Sequence, residues 1–229
     1  DTDRSRGLGD VYKRQDQEFE DGKNITPDQI YAWSDANKTT PKTSAPAMAD
    51  AIELFRPYVT AGREIVCFSI SAGMSTSGNV MRLAAEELGA SDRIKVIDSA
   101  NLSTGIGLLV IEAAIMAKNN RTASQIVSEI ERLKPNVRAS FVVDTLTYLY
   151  RGGRCNAVAA MAGGVLKLHP RIVVENGAMN ASKKYRGKID SFIMDYVKDM
   201  EKDLKNARPE RVFICLLYTS DAADDRISV

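Results

Sequence analysis

The sequence has one histidine, one tryptophan and three cysteines in 229 residues, and almost no net charge. Each shortage excludes a class of function. A formal charge of +1 leaves no basic excess to grip a nucleic acid backbone. The cysteines stand too far apart for a metal-ligand spacing or a disulfide framework. His169, the single histidine, would have to be the base of any serine hydrolase, and no G-x-S-x-G elbow supplies the nucleophile. A P-loop lysine motif and a metal-ligand cluster are both missing. No apolar run reaches the roughly 20 residues of a bilayer span. "GIGLLVIEAAIMA" (105–117) comes closest, and it is short and carries Glu112. With no secretory pattern either, a reducing cytoplasm is the expected setting. What is present is ordinary: 44% apolar and 27% charged residues, enough for a sizeable core.

The two ends share no pattern with what they flank, but they are related to each other. Asp10–Gln15 back-translates as GAT GTG TAT AAG AGA CAG. Its reverse complement, in a shifted frame, reads TGT CTC TTA TAC ACA TC, which encodes Cys215–Thr219 and, with any third base, Ser220. Such inverted ends resemble the transposase adapters of sequencing libraries. Residues 1–15 and 215–229 are therefore expected to be adapter-derived and foreign to the fold.

Between them, strands and helices alternate. Thr26-Pro27-Asp28-Gln29 and Thr122-Ala123-Ser124-Gln125 are capping-box helix starts. "TTPKTSAP" (39–46) reads as a loop, followed by a helix with Met48, Ile52, Phe55 and Val59 at helical spacing. A strand over 64–70 leads to a helix through Val80, Leu83, Ala84 and Leu88 that stops at Gly89. "IKVID" (94–98) is a second strand, followed by a loop and a helix to about Lys118, and Ile126, Ile130 and Leu133 mark the next helix face. This alternation predicts an α/β fold with a parallel sheet covered by helices over 16–136. The character changes near 135–137. A smaller α/β domain is expected over 137–214, with a strand at "VRASFVVD", a short helix stopped by Gly152-Gly153, and a small-residue helix or loop at "NAVAAMAGGVLKL". An Asn176-Gly177 hairpin, an amphipathic helix and a last strand starting at "RVFI" follow.

The candidate chemistry lies where strands end. "ISAGMSTSGN" (70–79) empties a strand into small and hydroxyl residues at a helix start, a common way of holding an anion. Alone, it reads equally well as a solvated turn, and "STSGN" resembles the phosphate loop of flavin-binding doubly wound proteins. "TSAP" (43–46) offers a hydroxyl pair before a proline-fixed turn. "DSANLSTGIG" (98–107) repeats the small and hydroxyl pattern at a second strand's carboxyl edge, where open α/β sheets bind ligands. "FVVDTLTYLYRGGR" (141–154) places Arg154 after a glycine pair that lets the backbone turn.

Taken in order, "EFEDGKNIT", "PKTSAP", "SISAGMSTSGN", "VIDSANLSTGIG", "FVVDTLTYLYRGGR" and "GGVLKLHPRIVVENG" resemble the landmarks of the DegV family of bacterial fatty-acid-binding proteins, over nearly all of 16–214. The resemblance implies two α/β domains with a long-chain fatty acid between them. It implies a carrier, not an enzyme, that presents the lipid carboxylate to a separate fatty acid kinase for acyl-phosphate formation. No cofactor and no metal are implied. Carried over, the head-group residues are Thr43 with Ser44 beside it, Ser71, the backbone N–H of Ala72, and Arg154. The sequence departs from the family pattern at Ala72, where a second serine is usual, and at Thr76-Ser77, where Gly-Thr is usual. It lacks the family's opening Asp-Ser strand and its closing segment with a histidine near the lipid head. The competing reading is a flavin- or phosphate-binding doubly wound enzyme, which would purify yellow if it held flavin. Lys183, Lys184, Arg186 and Lys188 form either a solvated face or a docking surface for a kinase or an anionic membrane.

Overall fold

The computed structural model describes residues 11–14, 17–20, 24–143, 147–153 and 168–214. The chain divides into two compact units, each discontinuous in sequence. The first is Asp1–Ile65, Asn79–Lys95 and Ile214–Val229; the second is Val66–Gly78 and Val96–Phe213. The change of character near residues 135–137 coincides with a 3-10 turn, Lys134–Asn136, inside the second unit.

In the first unit, strands β1 (Val11–Arg14), β2 (Gln17–Glu20) and β3 (Lys42–Ser44) form an antiparallel sheet with β1 in the middle. Tyr12 stands opposite Phe19 on one side and Thr43 on the other. The three-residue strand thus lies within the stretch expected as a loop, because β1 offers it a ladder. Val11–Arg14 also falls among the residues read as adapter. Strand pairing uses backbone groups, which any non-proline sequence supplies, so the pairing does not depend on the strand's residue types.

Helix α1 (Pro27–Asn37) opens on the expected capping box: Thr26 N–H donates to Gln29 Oε1 (2.9 Å) and Gln29 N–H to Thr26 Oγ1 (3.4 Å). Helix α2 (Met48–Thr60) buries Ala51 and Phe55. Met48 is exposed and Ile52 half-buried, so the buried face is rotated from the expected one, with Ala51 taking the closest packing position. In helix α3 (Ser77–Glu87) the buried apolar side chains are Met81, Ala84 and Ala85, whereas Leu83 points outward. In both helices alanines share the buried face with one larger residue, Phe55 in α2 and Met81 in α3.

Strands β4 (Ile65–Ser69) and β5 (Ile94–Asp98) run parallel. At one end Ile65 N–H donates to Arg93 O (2.8 Å), and at the other Ser99 N–H donates to Ser69 O (3.2 Å). Within the second unit, Ile97 of β5 packs with Leu109 and Ala113 of α4 (Thr104–Lys118) and with Ile126 and Ile130 of α5 (Ala123–Leu133). Val66 and Phe68 of β4 join this core.

A second sheet, β6 (Ala139–Val142), β7 (Leu168–Glu175) and β8 (Ala178–Arg186), is an antiparallel meander. Its β7–β8 turn is Asn176-Gly177, with φ of 52° and 75°, the left-handed pair a two-residue hairpin turn requires. Helix α6 (Thr147–Gly152) ends at Gly153, φ 67°, as the glycine pair predicts. Helix α7 (Ile189–Asp199) buries Phe192, which stacks on Tyr185 with centroids 5.0 Å apart. The strand expected at "RVFI" does not form. Pro209–Arg211 is a 3-10 turn, and Arg211 binds Glu112 of α4, fixing the chain there with no strand ladder over 212–214. The segment "NAVAAMAGGVLKL" lies mostly outside the described residues.

Candidate functional site

Three loops of the second unit meet around Ser71. The first follows β4, the second follows β5, and the third is the β7–β8 turn. Parallel strands deliver their loops to the same end of a sheet, so the first two are neighbours by construction. Ser71 N–H donates to Asn101 O (2.9 Å), which joins them directly.

Ser71 is 1% exposed. Its hydroxyl donates to Gly177 O at 2.6 Å and accepts from Gly73 N–H at 3.2 Å. A carbonyl can only accept, so the single hydroxyl proton is directed at the hairpin turn. Met74 and Ser75 N–H groups both return to Ser71 O (2.9 and 3.1 Å), closing the loop on itself. The glycines are needed for this closeness. A Cβ on Gly177 would stand 2.7 Å from Ser71 Oγ, and one on Gly73 would stand 3.0 Å from Gly177 O.

The β5 loop is built on Asp98. Its Oδ1 accepts from Ala100 N–H (2.9 Å) and, across the loops, from Ala72 N–H (3.2 Å). Ser99 Oγ donates to Asn101 O, and Asn101 N–H donates to Ser99 Oγ, both at 3.1 Å. Ala100 and Ser103 hold left-handed φ values of 51° and 49°. Strain of this kind in non-glycine residues clusters at functional loops. Asn101 is buried against Gly105, where a Cβ would collide with its side-chain amide, so glycine at this position leaves the room that the Asn101 side chain occupies.

Of the residues singled out from sequence, Ser71 and Ala72 lie together in this cluster. Thr43 and Ser44 are on β3 in the first unit, half-buried, opposite Tyr12 and Val11. Arg154 lies outside the described residues. Asp98 and Gly177 were not singled out as site residues. Asp-Ser at a strand end is a local signal for a side chain capping its own loop, but its reach to Ala72 is a tertiary fact. His169 is 5% exposed, its Nδ1 lies 3.0 Å from Val143 O, and its ring lies 5.0 Å from Phe192. It is a core histidine, held away from solvent. Lys183 is drawn out of the basic cluster by an ion pair with Asp199 (2.7 Å), while Lys184, Arg186 and Lys188 are exposed. No group of potential metal ligands occurs among the described residues, and none of their helices is long and apolar enough to cross a membrane.

The fold is that of an α/β protein with polar loops gathered at the carboxyl ends of parallel strands. The chain belongs to the DegV family, whose model matches residues 13–227. A DegV domain-containing protein of Deinococcus radiodurans is 30% identical over 213 residues, covering 93% of this chain and 74% of that relative. One from Clostridium acetobutylicum is 32% identical over 201 residues, covering 85% and 69%. Among solved structures, a fatty-acid-binding DegV protein of Thermus thermophilus superposes with a TM-score of 0.74 at 25% identity, covering 85% of this chain and 69% of that one. A stearic-acid-binding protein of Eubacterium ventriosum gives 0.73 at 27%, covering 86% and 70%.

Proposed function

We propose that this chain binds a long-chain fatty acid and presents its carboxylate to a partner fatty acid kinase in the cytoplasm. The observation that carries the reading is the buried Ser71 in the loop at the end of β4, in a chain whose solved relatives bind fatty acids. In this reading Ser71 and the Ala72 N–H belong to the head-group site, and Thr43, Ser44 and Arg154 complete its donors. A carboxylate taken from water needs several such donors, since unpaired burial of a charge is costly. Affinity comes mainly from the tail, at roughly 0.8 kcal/mol for each buried CH₂. No residue of the chain then has to act as nucleophile or base, and no cofactor is needed. Lys184, Arg186 and Lys188 suit brief contact with an acidic partner or an anionic membrane surface.

The division of labour between tail and head sets the test. Arg154→Ala should leave oleate affinity within a few-fold of the original and strongly reduce acyl-phosphate formation by the partner kinase with ATP. Unimpaired phosphorylation in the variant removes Arg154 from the head-group site. Phosphoryl transfer by this protein alone would contradict the carrier function.

A further inference from the structure

A carboxylate already stands in the head-group loop. Asp98 Oδ1 holds the Ala72 N–H at 3.2 Å, the same backbone donor that the fatty-acid reading assigns to the ligand. Resting on that reading, we propose that Asp98 is a built-in competitor for the lipid carboxylate. It occupies the Ala72 N–H and repels a second anion brought to that donor. The fatty acid is thereby held by its tail and only lightly at its head, as a carrier that must hand over its cargo requires.

Two features keep Asp98 in place. The same Oδ1 accepts from Ala100 N–H at 2.9 Å, and the Ser99–Asn101 hydrogen bonds fix the turn that carries Ala100. The carboxylate therefore cannot swing away without losing two backbone partners. An amide hydrogen shared between two anions also forces like charges within a few ångströms. Even with the screening of bulk water, the repulsion at such a separation changes a binding constant by roughly fivefold, and near a protein surface by more.

Asp98→Asn separates charge from structure, because the amide oxygen can still accept from Ala72 and Ala100. Binding of oleate and of oleyl alcohol is measured on both proteins by calorimetry. The variant is expected to bind oleate roughly fivefold or more tightly and oleyl alcohol unchanged. Equal oleate affinity, or an equal gain for the alcohol, overturns the proposal while leaving fatty-acid binding intact. Failure of both proteins to bind either lipid overturns the underlying reading and this inference with it. A second measurement needs no variant. On titrating the original protein with oleate, the Ala72 amide proton and the Asp98 carboxyl carbon are expected to shift together in the NMR spectrum. No shift at either, with oleate bound, ends the proposal.

Discussion

Ser71 has one proton and two demands on it. In this structure the proton goes to Gly177 O. If Ser71 donates to a lipid carboxylate, it must turn away from that carbonyl. Ser71→Ala removes both possibilities and leaves a buried carbonyl short of a donor. Thermal unfolding should show a loss of about 1–3 kcal/mol, with weaker oleate binding alongside. Unchanged stability would mean that the hydroxyl does not hold the turn. Gly177→Ala tests the same contact from the other side. The φ of 75° and the 2.7 Å approach of a Cβ to Ser71 Oγ both oppose it. A cost of about 1–3 kcal/mol is expected, as for overpacking elsewhere. At this scale sequence was partly informative. A serine in a small-residue loop after a strand is visible in one dimension. That its proton meets Gly177, 106 residues later, is not.

The elements follow local chemistry most closely where caps and turns decide them. Both capping boxes and the Asn176-Gly177 turn form as their residues dictate, because their partners lie within a few positions. Helix faces were less legible. Helix α5 buries Ile126 and Ile130 as its spacing says, whereas α2 buries the expected Phe55 with Ala51, and α3 the expected Ala84 with Met81 and Ala85, leaving Met48 and Leu83 exposed. Large apolar residues announce a face, whereas close packing selects small ones. The amphipathic α5 should depend on both cap and core. Thr122→Ala is expected to cost about 1 kcal/mol, and Ile130→Ala about 2–5 kcal/mol, by denaturant titration. Comparable losses for the two would contradict the packing described.

Between β8 and α7, hydrogen bonds from Lys183 and then Tyr185 hold the Asp199 carboxyl below its ordinary range. Burial, with the Asp199 carboxylate beside it, raises the Tyr185 phenol. A carboxylate whose folded pKa is lowered stabilises the fold above its unfolded value, and that stability is lost as pH falls through the folded one. The thermal midpoint should therefore drop on acidification through the carboxylate range. In Asp199→Asn it should drop less over the same interval. An identical pH profile in the variant would show that this pair does not stabilise the fold.

At the scale of the molecule, the α/β character and the family were legible because strand-end loops and glycine turns keep their order along the chain. Each of the two compact units is assembled from segments separated along the chain. Val11–Arg14, among the residues expected to be adapter-derived, pairs as the middle strand of its sheet, and the family match over residues 13–227 runs into both ends.

The central claim is that the protein carries a fatty acid. Its most direct test is organic extraction of the purified protein followed by mass spectrometry, with native mass spectrometry for stoichiometry. The account predicts a colourless protein with one long-chain fatty acid per chain, exchangeable for added oleate. A protein that yields no fatty acid and takes up no oleate, or that carries flavin, would contradict it.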